Sequence, residues 1–169
     1  MIAVSNSTPL IALAKINQLY LLKDFFGEIF IPEEVYDEVV LRGSGLTGAS
    51  EVASCSWIKT EPVANRLAVD ALCISLDRGE AEAIVLSREK DALLIIDDGD
   101  GRKSAKQLGL KITGTVGILL LASDEGMLDL KNTLDELKSA GFRLSDREYG
   151  KIMSLGCRPT ELKGSQPRA

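Results

Sequence analysis

The sequence predicts an α/β sandwich, a three-layer arrangement in which helices cover both faces of a mainly parallel sheet. Three observations carry this. Short apolar runs alternate with amphipathic stretches over residues 1–126 of the 169. The run 92–96, Ala-Leu-Leu-Ile-Ile, is apolar at every position, as a strand buried on both faces requires. Asn, Asp, hydroxyl and Pro residues cluster where apolar runs give way to helical ones, which is the capping chemistry of strand–helix junctions.

Ile2, Ala3 and Val4 form the first short strand, and Ser7-Thr8-Pro9 opens a helix through about Lys15. A second helix covers 19–26 and stops at Gly27. Ile29, Phe30 and Ile31 form a strand, after which Pro32-Glu33-Glu34 starts a helix with acids at its positive end. Residues 42–48 read as a loop and 57–60 as an edge strand. Helices follow over 65–76 and 79–90, the second capped by Asp77. After the 92–96 strand come a helix to Leu108, a short strand over 111–113 and a helix from Thr115. From Leu128 the character changes to two polar amphipathic helices, 130–140 and 145–155, the latter opened by a Ser145/Glu148 capping box. The expected organisation is an α/β core over 1–126, a helical pair over 127–156 packed on the same domain, and a tail over 157–169.

A chain of this size buries roughly 70% of its unfolded surface, enough for a core without staples. Its three cysteines, odd in number and far apart, suit a reducing cytosol. The expectation is a cytoplasmic protein with no membrane segment, since the stretch 112–123 falls short of the ~20 apolar residues of a span. There is no histidine, which removes His-based triads and Cys2His2 zinc sites. A net charge of −5 argues against gripping nucleic acid through bulk positive charge, though an acidic total can hide carboxylates that a metal neutralises. Gly43, Gly45 and Gly48 match G-x-G-x-x-G by letter, but they follow a helix and precede no evident one, so a dinucleotide site is rejected.

Active groups in parallel α/β folds sit at the carboxyl edge of the sheet. The polar residues placed there are Asn6, Ser7 and Thr8, then Asp97, Asp98 and Asp100, then Thr113 and Thr115, with Glu38, Glu80 and Glu82 near helix starts. Adjacent Asp97 and Asp98 repel unless solvent or a cation relieves them, and hard divalent ions take such oxygen ligands. The same acids could instead only cap the next helix. Glu80 and Glu82, two apart on a helix, cannot share a face, so at most one points into a site. Arg102, Lys103 and Lys106 make a basic patch that could meet phosphate or serve as a solvated helix face.

Taken in order, several stretches resemble the PIN-domain family, the metal-dependent ribonuclease fold of VapC-type toxins, and most closely a prokaryotic branch of it. They are Val4-Ser5-Asn6-Ser7-Thr8-Pro9-Leu10, Ile31-Pro32-Glu33-Glu34-Val35-Tyr36-Asp37-Glu38, Leu76-Asp77-Arg78-Gly79-Glu80-Ala81-Glu82, Leu94-Ile95-Ile96-Asp97-Asp98, Gly114-Thr115 and Gly141-Phe142-Arg143-Leu144-Ser145. The resemblance implies a quartet of metal-holding positions for Mg2+ or Mn2+. By position these fall at Asn6, Glu38, Glu80 and Asp98, with Asp97 or Asp100 as an additional or outer acid. It further implies Glu38, Glu80 and Asp98 as the catalytic carboxylates, and Thr8, Arg102, Lys103 and Thr115 as contacts to a single-stranded RNA substrate. An antitoxin protein and a second copy of the chain are the implied protein partners. The departure is Asn6, where the family pattern has aspartate: an amide oxygen can ligate a hard cation but carries no charge. Two readings therefore stand, a metal-dependent ribonuclease and a weakened or inactive relative that binds RNA or protein.

Overall fold

The computed structural model describes residues 1–156, so the expected tail and Cys157 lie outside the described residues. Five strands form one sheet in the order β3-β2-β1-β4-β5. They are β1 (Ala3–Ser5), β2 (Ile29–Pro32), β3 (Ile58–Glu61), β4 (Leu93–Ile95) and β5 (Ile112–Thr113), and every pairing is parallel. The chain builds outward from β1 to one side through β2 and β3. It then crosses to the other side for β4 and β5. The direction of winding reverses between β1 and β4, and in open parallel sheets the crevice at the carboxyl ends of two such strands is where ligands bind.

Alternation along the strands divides the core into two layers. Ala3, Ile29, Ile31 and Ile95 point to one face, while Val4, Leu94 and Ile96 point to the other. The first layer is covered by α1 (Ser7–Lys15), α2 (Leu21–Phe26) and α8 (Thr115–Asp124), and the second by α5 (Arg66–Leu72), α6 (Arg78–Glu89) and α7 (Gly99–Gln107). The final pair, α9 (Leu130–Ser139) and α10 (Asp146–Gly156), buries Leu130, Leu134, Leu137 and Ile152 in the first layer. Among the described residues no helix is long and apolar enough to cross a membrane.

Caps fall where the chemistry of the residues puts them. Asp77 accepts from the Glu80 N–H at 2.8 Å, and the Ser145 and Glu148 side chains exchange bonds across the first turn of α10. Three segments differ from expectation, the first being the helix expected over 65–76, which ends as α5 at Leu72 with Cys73 as its cap. The stretch after Gly48, left without structure by its short pattern, forms α4 (Ala49–Ser54), where the Glu51 carboxylate accepts from the Gly48 N–H at 2.9 Å. The glycine triplet thus does precede a helix, but it still follows one rather than a strand. The helix that begins as α3 (Glu33–Tyr36) widens into a π-helical turn over Asp37–Leu41, closed by Arg42 N–H to Asp37 O at 2.8 Å.

Candidate functional site

The crevice between β1 and β4 is closed at its floor by the Asn6 N–H donating to Ile95 O at 3.1 Å. This leaves Asn6 and the Asp97–Asp98 pair side by side at the carboxyl edge. Asn6 is 4% exposed, and its amide oxygen caps α1 by accepting from the Thr8 N–H at 2.8 Å. Asp98 is exposed, and its Oδ2 caps α7, accepting from the N–H groups of Asp100 and Gly101 at 2.9 Å each. Its Oδ1 accepts no hydrogen bond among the described residues.

Two more carboxylates converge from neighbouring helices. Glu38, within the π-helical turn, accepts a hydrogen bond from the Ser7 hydroxyl and lies against the first turn of α6, where a Cβ on Gly79 would stand 2.6 Å from its Oε1. Burial pushes the Glu38 carboxyl above its ordinary range, Ser7 opposes this, and the charges of Asp77 and Glu34 add to it. Glu80 follows Gly79 in α6. Its carboxyl is pushed up to about 7, first by burial and then by the charges of Asp77, Asp98 and Glu38. Glu38, Glu80 and Asp98 are therefore electrostatic neighbours around one crevice, with Arg42 Nη2 3.9 Å from Glu38 Oε1 as a cation at its edge.

Glu82 belongs to a different place. It is 3% exposed, binds Arg66 Nη1 at 2.9 Å and accepts from the Glu34 N–H at 3.3 Å. Of the two acids in that turn, Glu80 faces the crevice and Glu82 ties α6 to α5 and α3. Asp97 is likewise a tether. Its Oδ1 accepts from the Thr115 N–H at 2.8 Å and its Oδ2 from the Thr115 hydroxyl at 2.6 Å, against a burial that raises its pKa. This corrects the expectation for Thr115: the residue is fully buried, and both of its donors are spent on Asp97, so it cannot contact a substrate. Arg102 is also turned to structure, its Nη1 bridging Ile96 O at 2.7 Å and Thr113 O at 3.1 Å across the ends of β4 and β5. Lys103 is exposed on α7 and lines neither cavity described below.

A cavity of about 520 Å³ opens beside the acids, with Thr8 and Asp98 in its lining. A second, of about 450 Å³, lies on the other side of the segment after α9, and Asp97, Phe142 and Arg143 line both. Sequence reasoning gave no role to Lys15, Gly79, Phe142 or Arg143. A signal for the first existed: Thr8, Ile11, Ala12 and Lys15 stand at i, i+3, i+4 and i+7, one face of α1, and all four line the first cavity.

The donor chemistry around the crevice suits a hard divalent cation. Glu38, Glu80, Asp98 and Asn6 offer oxygen only, and the raised Glu38 and Glu80 carboxyls would be relieved by positive charge. No three acidic or thiol side chains among the described residues are close enough to form a ready-made cage.

A parallel five-stranded sheet with carboxylates at its switch point defines an α/β domain with a polar crevice, and the sequence comparison makes the family explicit. A family profile described as "DUF3368: PIN domain" matches residues 2–156, and the chain belongs to the PIN-domain family. Among solved structures it is similar to a PilT N-terminus domain protein from the hyperthermophilic archaeon Sulfolobus solfataricus P2, at 18% identity and a TM-score of 0.46, over 86% of this chain and 98% of that one. No curated relative matches the chain. PIN domains are generally nucleases and typically use divalent metal ions, which gives the coarse functional class.

Proposed function

We propose that the protein is a Mg2+- or Mn2+-dependent endoribonuclease that hydrolyses phosphodiester bonds in single-stranded RNA. The observation that carries this is the convergence of Glu38, Glu80 and Asp98 on one crevice, with the Glu80 carboxyl pushed up to about 7 by burial and then by its neighbours. Arg42 meets this group at Glu38 alone, at 3.9 Å among the described residues, and carboxyls raised by burial and like charge mark a candidate functional site.

In this reading Glu38, Glu80 and the outward Oδ1 of Asp98 hold the ion. Asn6 adds a neutral amide oxygen that already accepts from the Thr8 N–H. Mg2+ or Mn2+, when bound, supplies Lewis acidity toward the phosphoryl oxygens and lowers the pKa of attacking water. Ser7 fixes Glu38 by its hydrogen bond, and Gly79 lets that carboxylate approach α6. Asp97 anchors the start of α8 through Thr115, holding the ends of β4 and β5 in register. The exposed Thr8 hydroxyl is available to a phosphate oxygen at the mouth of the crevice.

A second reading is favoured by Asn6 alone: one anion fewer at the centre of the sheet weakens the hold on metal and leaves a protein that binds RNA without cutting it. Incubating purified protein with labelled single-stranded RNA and Mn2+ or Mg2+, beside EDTA and Glu80→Gln controls, separates them. Cleavage lost in both controls supports the nuclease. Folded protein that binds the strand and never cuts it supports the second reading.

A further inference from the structure

The acids do not account for the lining of the cavity beside them. One wall is the face of α1 and the other is the end of α9 with the segment that follows. Ile11, Ala140 and Phe142 give it apolar surface, while Lys15 and Arg143 bring two exposed cations into a chain of net charge −5. Asp98 lies in the same lining, so one occupant reaches both the apolar wall and that carboxylate.

The aromatic wall is put there by a defined turn. Gly141 takes a φ of +95°, its N–H donates to Lys138 O at 3.0 Å, and the Phe142 N–H reaches back to Leu137 O at 3.2 Å. That pair of bonds is the glycine-terminated helix end that reverses the chain sharply, and it delivers Phe142 and Arg143 together to the cavity.

We propose that this cavity is a subsite for one nucleotide of a single strand. The base stacks on Phe142 against Ile11 and Ala140, and its phosphates are met by Arg143 and Lys15. The adjoining phosphodiester then lies at Asp98. This rests on the reading of a nucleic-acid substrate made above. At about 520 Å³ the cavity falls within the size range of small-ligand sites and exceeds what one base needs. A purely apolar ligand leaves the two cations without purpose, and a simple anion leaves the aromatic wall without one. A nucleotide uses both. Bases stacked within a duplex cannot enter, so the subsite selects single strands.

The test is binding of a labelled RNA strand of about 12 nucleotides to the full chain in EDTA, which separates binding from cutting. Phe142→Leu keeps the apolar packing and removes the stacking face, and Phe142→Tyr restores that face. Expected is a loss of about tenfold in affinity for Phe142→Leu with wild-type affinity for Phe142→Tyr. Arg143→Ala should lower the slope of log affinity against log salt by about 0.7. Arg147→Ala, an equal loss of charge on α10 outside the cavity, should leave both unchanged. Wild-type affinity for Phe142→Leu, an equal effect of Arg147→Ala, or no strand binding by the wild type overturns the subsite. Phe142-dependent binding without cleavage under any metal overturns the nuclease and keeps the subsite. Metal-dependent cleavage with no Phe142 dependence does the reverse.

Discussion

The Glu38 carboxylate occupies space that a side chain at position 79 would need. A Cβ there would stand 2.6 Å from Glu38 Oε1 and 2.8 Å from Oε2, so the glycine sets how closely the π-helical turn approaches the start of α6. The position next to that glycine carries Glu80, and the close approach is what makes Glu38 and Glu80 neighbours. A carboxylate at a helix N-terminus also gains from the helix dipole, which offsets part of the cost of burying it.

Gly79→Ala should separate stability from metal binding. In an unconstrained helix the change adds about 0.5–1 kcal/mol of stability. Here the new methyl displaces Glu38, so the expected result is a thermal midpoint near wild type and Mn2+ affinity reduced about tenfold or more. Titration of Mn2+ followed by electron paramagnetic resonance reads the second quantity, and wild-type affinity would argue against Glu38 as a ligand.

Glu80 and Glu82 should give opposite phenotypes although they lie two residues apart. Glu80→Gln removes a crevice carboxylate, and the expectation is lost cleavage with stability preserved or improved. Glu82→Gln weakens the pair between buried Glu82 and half-exposed Arg66 and should cost about 1 kcal/mol while sparing the reaction. Denaturant melts beside RNA cleavage assays check both, and the reverse pattern would exchange the two assignments.

The pH dependence follows from the same carboxyl. Folding raises the Glu80 pKa from 4.5 to about 7, so the folded state binds the proton more tightly than the unfolded chain. Its contribution is fully present below the unfolded value and is lost as pH rises through about 7. In EDTA the stability advantage of Glu80→Gln over wild type should therefore be larger at pH 8 than at pH 5. Equal differences at the two values, measured by urea unfolding, would remove the raised Glu80 carboxyl from this picture.

Thr115→Val tests Asp97 as a tether. The variant keeps the shape of the side chain and the backbone bond but deletes the 2.6 Å hydroxyl contact in a fully buried position. The expected cost is about 1–3 kcal/mol in unfolding experiments. A neutral variant would mean that the link between β4 and α8 rests on the backbone N–H alone.

The layers were legible because each strand carries its own evidence: Leu94 and Ile96 face one side and Ile95 the other, and the apolar run 92–96 announces burial on both. Caps were legible because Asp77 and Ser145 act within their own turns. The positions of Asn6 and Asp98 followed from the rule that loops at the carboxyl edge hold the site. The rest depends on contacts far apart in sequence. Nothing local distinguishes Glu80 from Glu82 until Arg66 and the start of α3 are seen to claim the latter. Asp97 looks like a ligand until Thr115, eighteen residues on, takes both of its oxygens. The π-helical turn that aims Glu38 leaves no mark in composition, since widening a helix by one residue changes its register and not its residue types. Short α4 escaped because six residues carry too little periodicity to stand out.

Asp98→Asn is the variant that bears most directly on the proposed chemistry. Asparagine caps a helix about as well as aspartate, so α7 and the fold are retained while the charge at the crevice is removed. The measurement is cleavage of single-stranded RNA by wild type and Asp98→Asn in Mn2+, with circular dichroism showing both folded. Metal-dependent cleavage by the wild type and none by the variant is the expected result. Undiminished cleavage by folded Asp98→Asn would contradict the assignment of the crevice as the catalytic site.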